Sequence, residues 1–268
     1  HCTSRHLLFT RIYTCHTKYM EKTTNSPSSG HQVAPHDRYH GVMERLSETQ
    51  HEIMEFYRLN GKPKMRGWIH AAFAPVAFVA GIVLIALSGG GPLALACAVF
   101  ALTGVLLFGV SGMYHRGFWP AKARMLLKRL DHANIALLIA GTYTPIALTL
   151  LSGTKQAVLL WTIWGCALLV VLFRVLWTGA PRWLYTPIYM VMGLLAVFFL
   201  GDFWQVSPAA MILIATGGAF YIVGAIFYAS KWPRMSPSIF GFHELFHACT
   251  VIGFILHYIA VMLAIFAV

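Results

Sequence analysis

From Gly67 onward the chain alternates long apolar runs with short polar joints. Seven apolar segments stand out, at about 67–87, 93–115, 130–151, 157–178, 183–201, 209–229 and 242–267. Each is close to the ~20 residues an α-helix needs to cross ~30 Å of hydrocarbon. None shows the period-two alternation of a membrane-spanning strand, and within lipid only helices and closed barrels satisfy every backbone N–H and C=O. The pattern predicts an all-α integral membrane protein, a bundle of seven transmembrane helices spanning residues 67–268.

The upstream sequence has a different character. Residues 1–42 mix Ser, Thr, His, Pro and Gly without periodicity, and TTNSPSSGHQVAPHD reads as a disordered or non-native N-terminal segment. It contains no apolar core of signal-peptide length. In residues 43–66, Leu46, Ile53, Phe56 and Tyr57 fall on one helical face. That spacing predicts a short amphipathic juxtamembrane helix.

Charge sharpens the picture. Residues 1–66 hold ten Lys/Arg and six Asp/Glu, whereas residues 67–268 hold ten Lys/Arg and three acids: Asp131, Asp202 and Glu244. A soluble domain is about a quarter charged; this chain is 11% charged and 58% hydrophobic. The net charge of +11 does not point to nucleic acid, because the basic residues are spread over short joints rather than gathered on one face. Basic joints (Lys62 to Arg66, Arg116 to Arg129, Arg174 with Arg182, Lys231 with Arg234) alternate with near-neutral ones. By the positive-inside rule the N-terminus is then cytosolic and the C-terminus lies on the far side. All eight tryptophans fall near segment ends or in joints, as an interfacial belt requires. The five cysteines form no C-x-x-C pair, and Cys97, Cys166 and Cys249 read as core fillers. Pro145 and Pro187 predict kinks within spans. Tyr-Thr-Pro-Ile recurs at 143–146 and 185–188, but at different depths, and reads as a chance repeat.

Polar residues converge at one depth. Segment two ends in SGMYH, placing Ser111 and His115 four apart and on one face; segment three opens with Asp131 and His132; segment seven opens with His243 and His247, again four apart. The orientation derived from Lys and Arg alone puts His115, Asp131, His243 and His247 near the cytosolic side together. Ionisable residues inside spans are costly and point to function. Three imidazoles with one open position suit a catalytic zinc ion, and a carboxylate outside the ligand set can hold and deprotonate water. Ser111 is placed to orient a ligand. His132 points about 100° away from Asp131. His70 lies near the same end of segment one. His257, ~21 Å deeper than His243, reads as a buried hydrogen-bonded histidine or one lining a cavity. The roles of these three stay open.

His243-Glu244-Leu245-Phe246-His247 also spells H-E-x-x-H, the zinc-protease motif with Glu as general base. The extended form needs Gly and His where this chain has Thr250 and Gly253, and no acid follows Glu244. Glu244 is therefore expected to point away from the pair, towards the preceding loop, and to be dispensable.

SGMYH (111–115), LKRLDHANIALLIAGTYTP (127–145) and KWPRMSPSIFGFHELFH (231–247) together resemble the hemolysin III proteins, the bacterial branch of the progestin and adipoQ receptor family. The resemblance covers the chain from about Gly67 onward. It implies seven helices with the N-terminus inside and a zinc ion near the cytosolic leaflet bound by His115, His243 and His247. It further implies that Asp131 holds the water at the metal, with Ser111 beside it. The wider group looks like a superfamily of membrane hydrolases that includes alkaline ceramidases.

These readings converge on a membrane-embedded zinc-dependent hydrolase of a lipid-like amide or ester. Asp131 and Ser111 are its candidate catalytic residues, His115, His243 and His247 the metal ligands, and Zn²⁺ the cofactor. Membrane lipids are the expected partners, with a substrate entering from the bilayer, and the expected location is the bacterial inner membrane. The alternative is a receptor-like or membrane-homeostasis protein with a structural zinc site. A zinc protease, a pore-forming cytolysin and a transporter fit less well.

Overall fold

The computed structural model describes residues 64–233 and 239–267. The expected N-terminal segment 1–42 and nearly all of the juxtamembrane helix 43–66 lie outside the described residues. Those that are described form seven helices long and apolar enough to cross a membrane. They are α1 (Trp68–Leu87), α2 (Gly91–Arg116), α3 (Ala121–Leu150), α4 (Gly153–Leu176), α5 (Arg182–Val206), α6 (Pro208–Ser230) and α7 (Phe242–Ala267). No strand occurs among the described residues.

Two helices exceed the lengths predicted from apolarity. α3 begins nine residues earlier, at Ala121 rather than 130. KARMLLKRL is charged, but Ala, Lys, Arg, Met and Leu are strong helix formers. Apolarity marks where lipid begins, not where the helix begins. α5 runs on to Val206, and Asp202 sits within its last turn, where it accepts a 2.6 Å ion pair from Lys155 of α4. α5 is also broken. Arg182–Gly193 is α-helical, Leu194–Phe199 tightens to a 3₁₀ helix, and Leu200–Val206 resumes. The cause is on α3: the Tyr143 hydroxyl donates to the Gly193 carbonyl and accepts from the Ala196 N–H, both at 2.7 Å. One side chain thus satisfies backbone groups that the change of helix type releases, as lipid-embedded backbone requires.

Pro75, Pro145 and Pro187 all lie inside helices. α3 is the most buried span and packs against α2, α4, α5 and α7; α7 also packs against α6 and α1. Small residues permit the closest approach: a Cβ on Gly112 would stand 2.8 Å from the Cα of Ala71, so α1 and α2 touch backbone to backbone near the end where the histidines lie. Cys97 and Cys249 are buried, while Cys166 is half-buried. Among the described residues, Lys155 is the one Lys or Arg at the end of the bundle where α1, α3, α5 and α7 finish.

Candidate metal centre

The site is assembled by three helix ends. α2 delivers Ser111 and His115 from its last two turns, α3 delivers Asp131 from its third turn, and α7 delivers His243 and His247 from its first two turns. The segments leading into α1 and α7 are tied together beneath it. Met65 N–H donates to the Ile239 carbonyl at 3.2 Å, and Arg66 Nε is ion-paired with the Glu244 carboxylate. Gly67 then crosses directly over His115. Its φ is +78°, and a Cβ there would stand 2.6 Å from the His115 Cβ, so only glycine fits.

Side-chain nitrogens of His115, His243 and His247 all lie within 4.8 Å of one another. The closest approach is His243 Nε2 to His115 Nε2, 3.2 Å. Two nitrogens bound to one ion at ~2.05 Å with a tetrahedral angle stand about 3.3 Å apart. The donor set, three imidazoles from two helices, therefore fits a metal ion in both chemistry and spacing. Asp131 Oδ2 lies 3.7 Å from His115 Nε2, outside the three-histidine set. Ser111 is buried and lines the same cavity as Asp131.

Glu244 points away from the histidines and back towards the loop that precedes α7, as expected, but it is buried there rather than open to solvent. It is 0% exposed. Besides Arg66, it accepts from the Gly241 N–H at 2.8 Å. Gly241 precedes the first residue of α7 and Glu244 is the third, so the carboxylate closes half of a capping box. An acid three residues into a helix and a basic residue before another span were the available sequence signals. What could not be read was that the two segments meet. With its oxygens so engaged, Glu244 is not positioned as a base at the histidines.

His70 is closer to the centre than its sequence position suggested. Its ring stacks on that of His247 at 3.7 Å and 8° from parallel, with Phe108 edge-on at 5.0 Å. It is 2% exposed, and neither ring nitrogen has a hydrogen-bond partner. His132 is turned away; its Nδ1 meets the Lys128 carbonyl at 2.6 Å. His257 Nε2 meets the Ile214 carbonyl at 3.0 Å, and its ring lines the deep end of a cavity.

That cavity, about 750 Å³, runs from the histidines into the bundle. Its polar end carries His70, Ser111, His115, Asp131, His243 and His247, and its interior is walled by Leu138, Ile139, Ile146, Val197, Leu200 and Ile214. The volume and mixed lining are those of a small-molecule site. Both Tyr-Thr-Pro-Ile copies contribute: Tyr143 and Tyr185 line the same cavity at different depths. Sequence reasoning missed Arg174, Tyr185, Thr186 and Tyr189 on its wall. Arg174, an arginine within a span, is the visible signal, which the charge alternation reads only as orientation.

Residues 59–258 match the family described as Haemolysin-III related. The chain is 35% identical over 134 residues to the Hemolysin-3 homolog of Bacillus subtilis (strain 168), which covers 50% of this chain and 62% of that protein. It is 32% identical over 170 residues to Hemolysin-3 of Bacillus cereus, covering 62% of this chain and 76% of that protein. A seven-helix membrane bundle, a three-histidine centre and these matches agree: the chain belongs to the haemolysin III family.

Proposed function

We propose that the chain is a membrane-embedded, zinc-dependent hydrolase acting on a lipid-like amide or ester. The observation that carries this is the position of the Asp131 carboxylate, 3.7 Å from His115 Nε2 but outside the three-histidine set, at the head of a cavity with an apolar interior. A carboxylate beside a metal is what hydrolysis needs, and an apolar chamber behind it is what an acyl chain needs. His115, His243 and His247 would hold the ion, which when bound polarises a carbonyl and makes water acidic near neutral pH. Asp131 orients the attacking water and takes up its proton. Ser111 fixes the Asp131 carboxyl. Glu244 and Arg66 hold the start of α7, and so the spacing of His243 and His247.

The protein would sit in the bacterial inner membrane with α1 entering from the cytosol, because the basic joints gather at that end. A site within apolar spans is reached more readily from the bilayer than from water. The test is zinc content by mass spectrometry together with hydrolysis of long-chain amides by protein in detergent. His115→Ala and His247→Ala should lose zinc. Asp131→Asn should keep zinc and lose turnover. Zinc retained by both histidine variants would overturn the ligand set. In a zinc-loaded structure, Asp131 at a bonding distance of ~2 Å would instead favour a structural ion with no open position.

A further inference from the structure

The α4 wall of the cavity carries an arginine with unpartnered donors. Arg174, in the last turn of α4, is 1% exposed, and its Nε and Nη1 are buried without a hydrogen-bond partner. A guanidinium has five N–H donors and is always charged, so leaving the three on Nε and Nη1 unpaired within a membrane span is costly. No carboxylate offsets it. Among the described residues the acids are Asp131, Asp202 and Glu244. Asp202 is paired with Lys155, Glu244 with Arg66, and Asp131 lies against His115. The cavity is lined by Arg66, Arg124, Lys128, Arg174 and Arg182 against Asp131 alone.

Arg174 is nevertheless held in place. Its guanidinium carbon lies 4.2 Å from the centre of the Tyr185 ring, the Tyr185 hydroxyl is 3.0 Å from that of Tyr228, and Arg182 lies 4.5 Å over the Tyr228 ring. The Tyr228 ring is 5.5 Å from His243, so this arginine–tyrosine row reaches the metal centre. With its face covered by Tyr185, Arg174 offers its in-plane N–H groups. Thr186, the next residue to Tyr185, lines the same cavity, and its buried hydroxyl also lacks a partner. Unpaired donors of this kind match the oxygens of a carboxylate or phosphate.

We propose that Arg174, with Thr186 and the Tyr185–Tyr228 row, is an oxyanion subsite that binds the anionic head of an amphiphile whose chain fills the apolar part of the cavity. This rests on the cavity being the substrate chamber of the hydrolase described above, and it narrows that substrate to an anionic lipid-like molecule. Arg174 touches the ligand's charged group and not the bond that is cleaved.

The test uses the full zinc-loaded chain in a neutral detergent and measures binding of dodecyl phosphate and dodecanoate by calorimetry. Dodecyltrimethylammonium is the control, and inorganic phosphate the competitor. At least one anionic probe should bind. Arg174→Gln should weaken it ten-fold or more without changing zinc content or cationic-probe binding, and Arg174→Lys should recover part of the loss. If Arg174→Gln does not fold, Arg174→Lys and Thr186→Val should each weaken the anionic probe several-fold. Wild-type affinity in all folded variants, or equal binding of both probe charges, overturns the subsite. Inorganic phosphate binding as tightly as dodecyl phosphate overturns the amphiphile. Arg174-dependent binding without amide hydrolysis supports the subsite and sinks the hydrolase. Hydrolysis unaffected by Arg174→Gln, with no Arg174-dependent binding, does the reverse.

Discussion

The Arg66–Glu244 pair gives the sharpest test of how the centre is held. Glu244 accepts from a charged donor, Arg66 Nε, and from the Gly241 N–H that begins α7. A hydrogen bond to a charged group contributes about 1.5–3 kcal/mol, and a helix-start hydrogen bond about 1 kcal/mol. Glu244→Ala should therefore cost about 3 kcal/mol. At 2–4 °C per kcal/mol for a bundle of roughly 200 residues, the melting temperature falls by about 6–12 °C. Glu244→Gln keeps a neutral acceptor and should cost roughly half as much.

The partners are not equivalent. The Arg66 side chain is 26% exposed and that of Glu244 1%. Removing the glutamate leaves a cation that can reach water; removing the arginine leaves a carboxylate that cannot. Breaking a buried pair by stranding its buried member costs about 3–5 kcal/mol. Arg66→Gln should thus destabilise more than Glu244→Gln, and the double variant should be more stable than Arg66→Gln alone. The assay is thermal unfolding of the four proteins in one detergent, followed by intrinsic tryptophan fluorescence, with zinc content measured in parallel. Additive losses, or a harsher Glu244→Gln, would refute the argument. Glu244→Gln that unfolds like wild type, keeps zinc and loses all turnover would restore the protease mechanism.

Three further outcomes follow from the packing. His70→Phe preserves the stack on His247 and should keep the metal, whereas His70→Ala opens a void beside that ligand and should lower metal affinity about ten-fold, read by competition with a chelator; equal losses would mean that the His70 nitrogens matter and not its ring. Gly67→Ala forces a left-handed φ and a clash with His115 at once, so a stability loss above about 1 kcal/mol is expected by thermal unfolding, with faster zinc loss. Lys155→Ala should stay within about 0.5 kcal/mol of wild type in the same melt, because its ion pair with Asp202 is solvent-exposed.

Helix number and order were legible because lipid imposes length and apolarity on each span, and both can be counted. The three-histidine group was legible because helical periodicity fixes i,i+4 pairs, and the alternation of basic joints places segment ends at matching depths. What escaped is whatever depends on contacts between segments. The break in α5 is caused by a tyrosine fifty residues away on α3, and nothing within LLAVFF announces it. The burial of Glu244 depends on Arg66, 178 residues earlier in the chain. The stacking of His70 on His247 depends on how closely α1 approaches α7, which no pattern within α1 records.

Arg174 shows where a sound rule hides a second property. A basic residue at a span end orients the helix whether its side chain turns out to the headgroups or in to the bundle. The positive-inside count is blind to that choice. Turning outward costs little, since arginine snorkels readily to the interface. Turning inward requires water, an anion or aromatic faces to compensate the charge. Here Tyr185 covers one face of the guanidinium, and no carboxylate meets its edge. An arginine turned inward with one face on Tyr185 and its edge free of carboxylates is what the anionic subsite proposed above requires. Under both proposals, basic residues counted for the orientation of the bundle would also set the sign of what the cavity can hold. The metal centre and the Arg174 charge would then act on one molecule, with the row from His243 through Tyr228 and Tyr185 to Arg174 fixing how far apart its reactive bond and its anionic group can be.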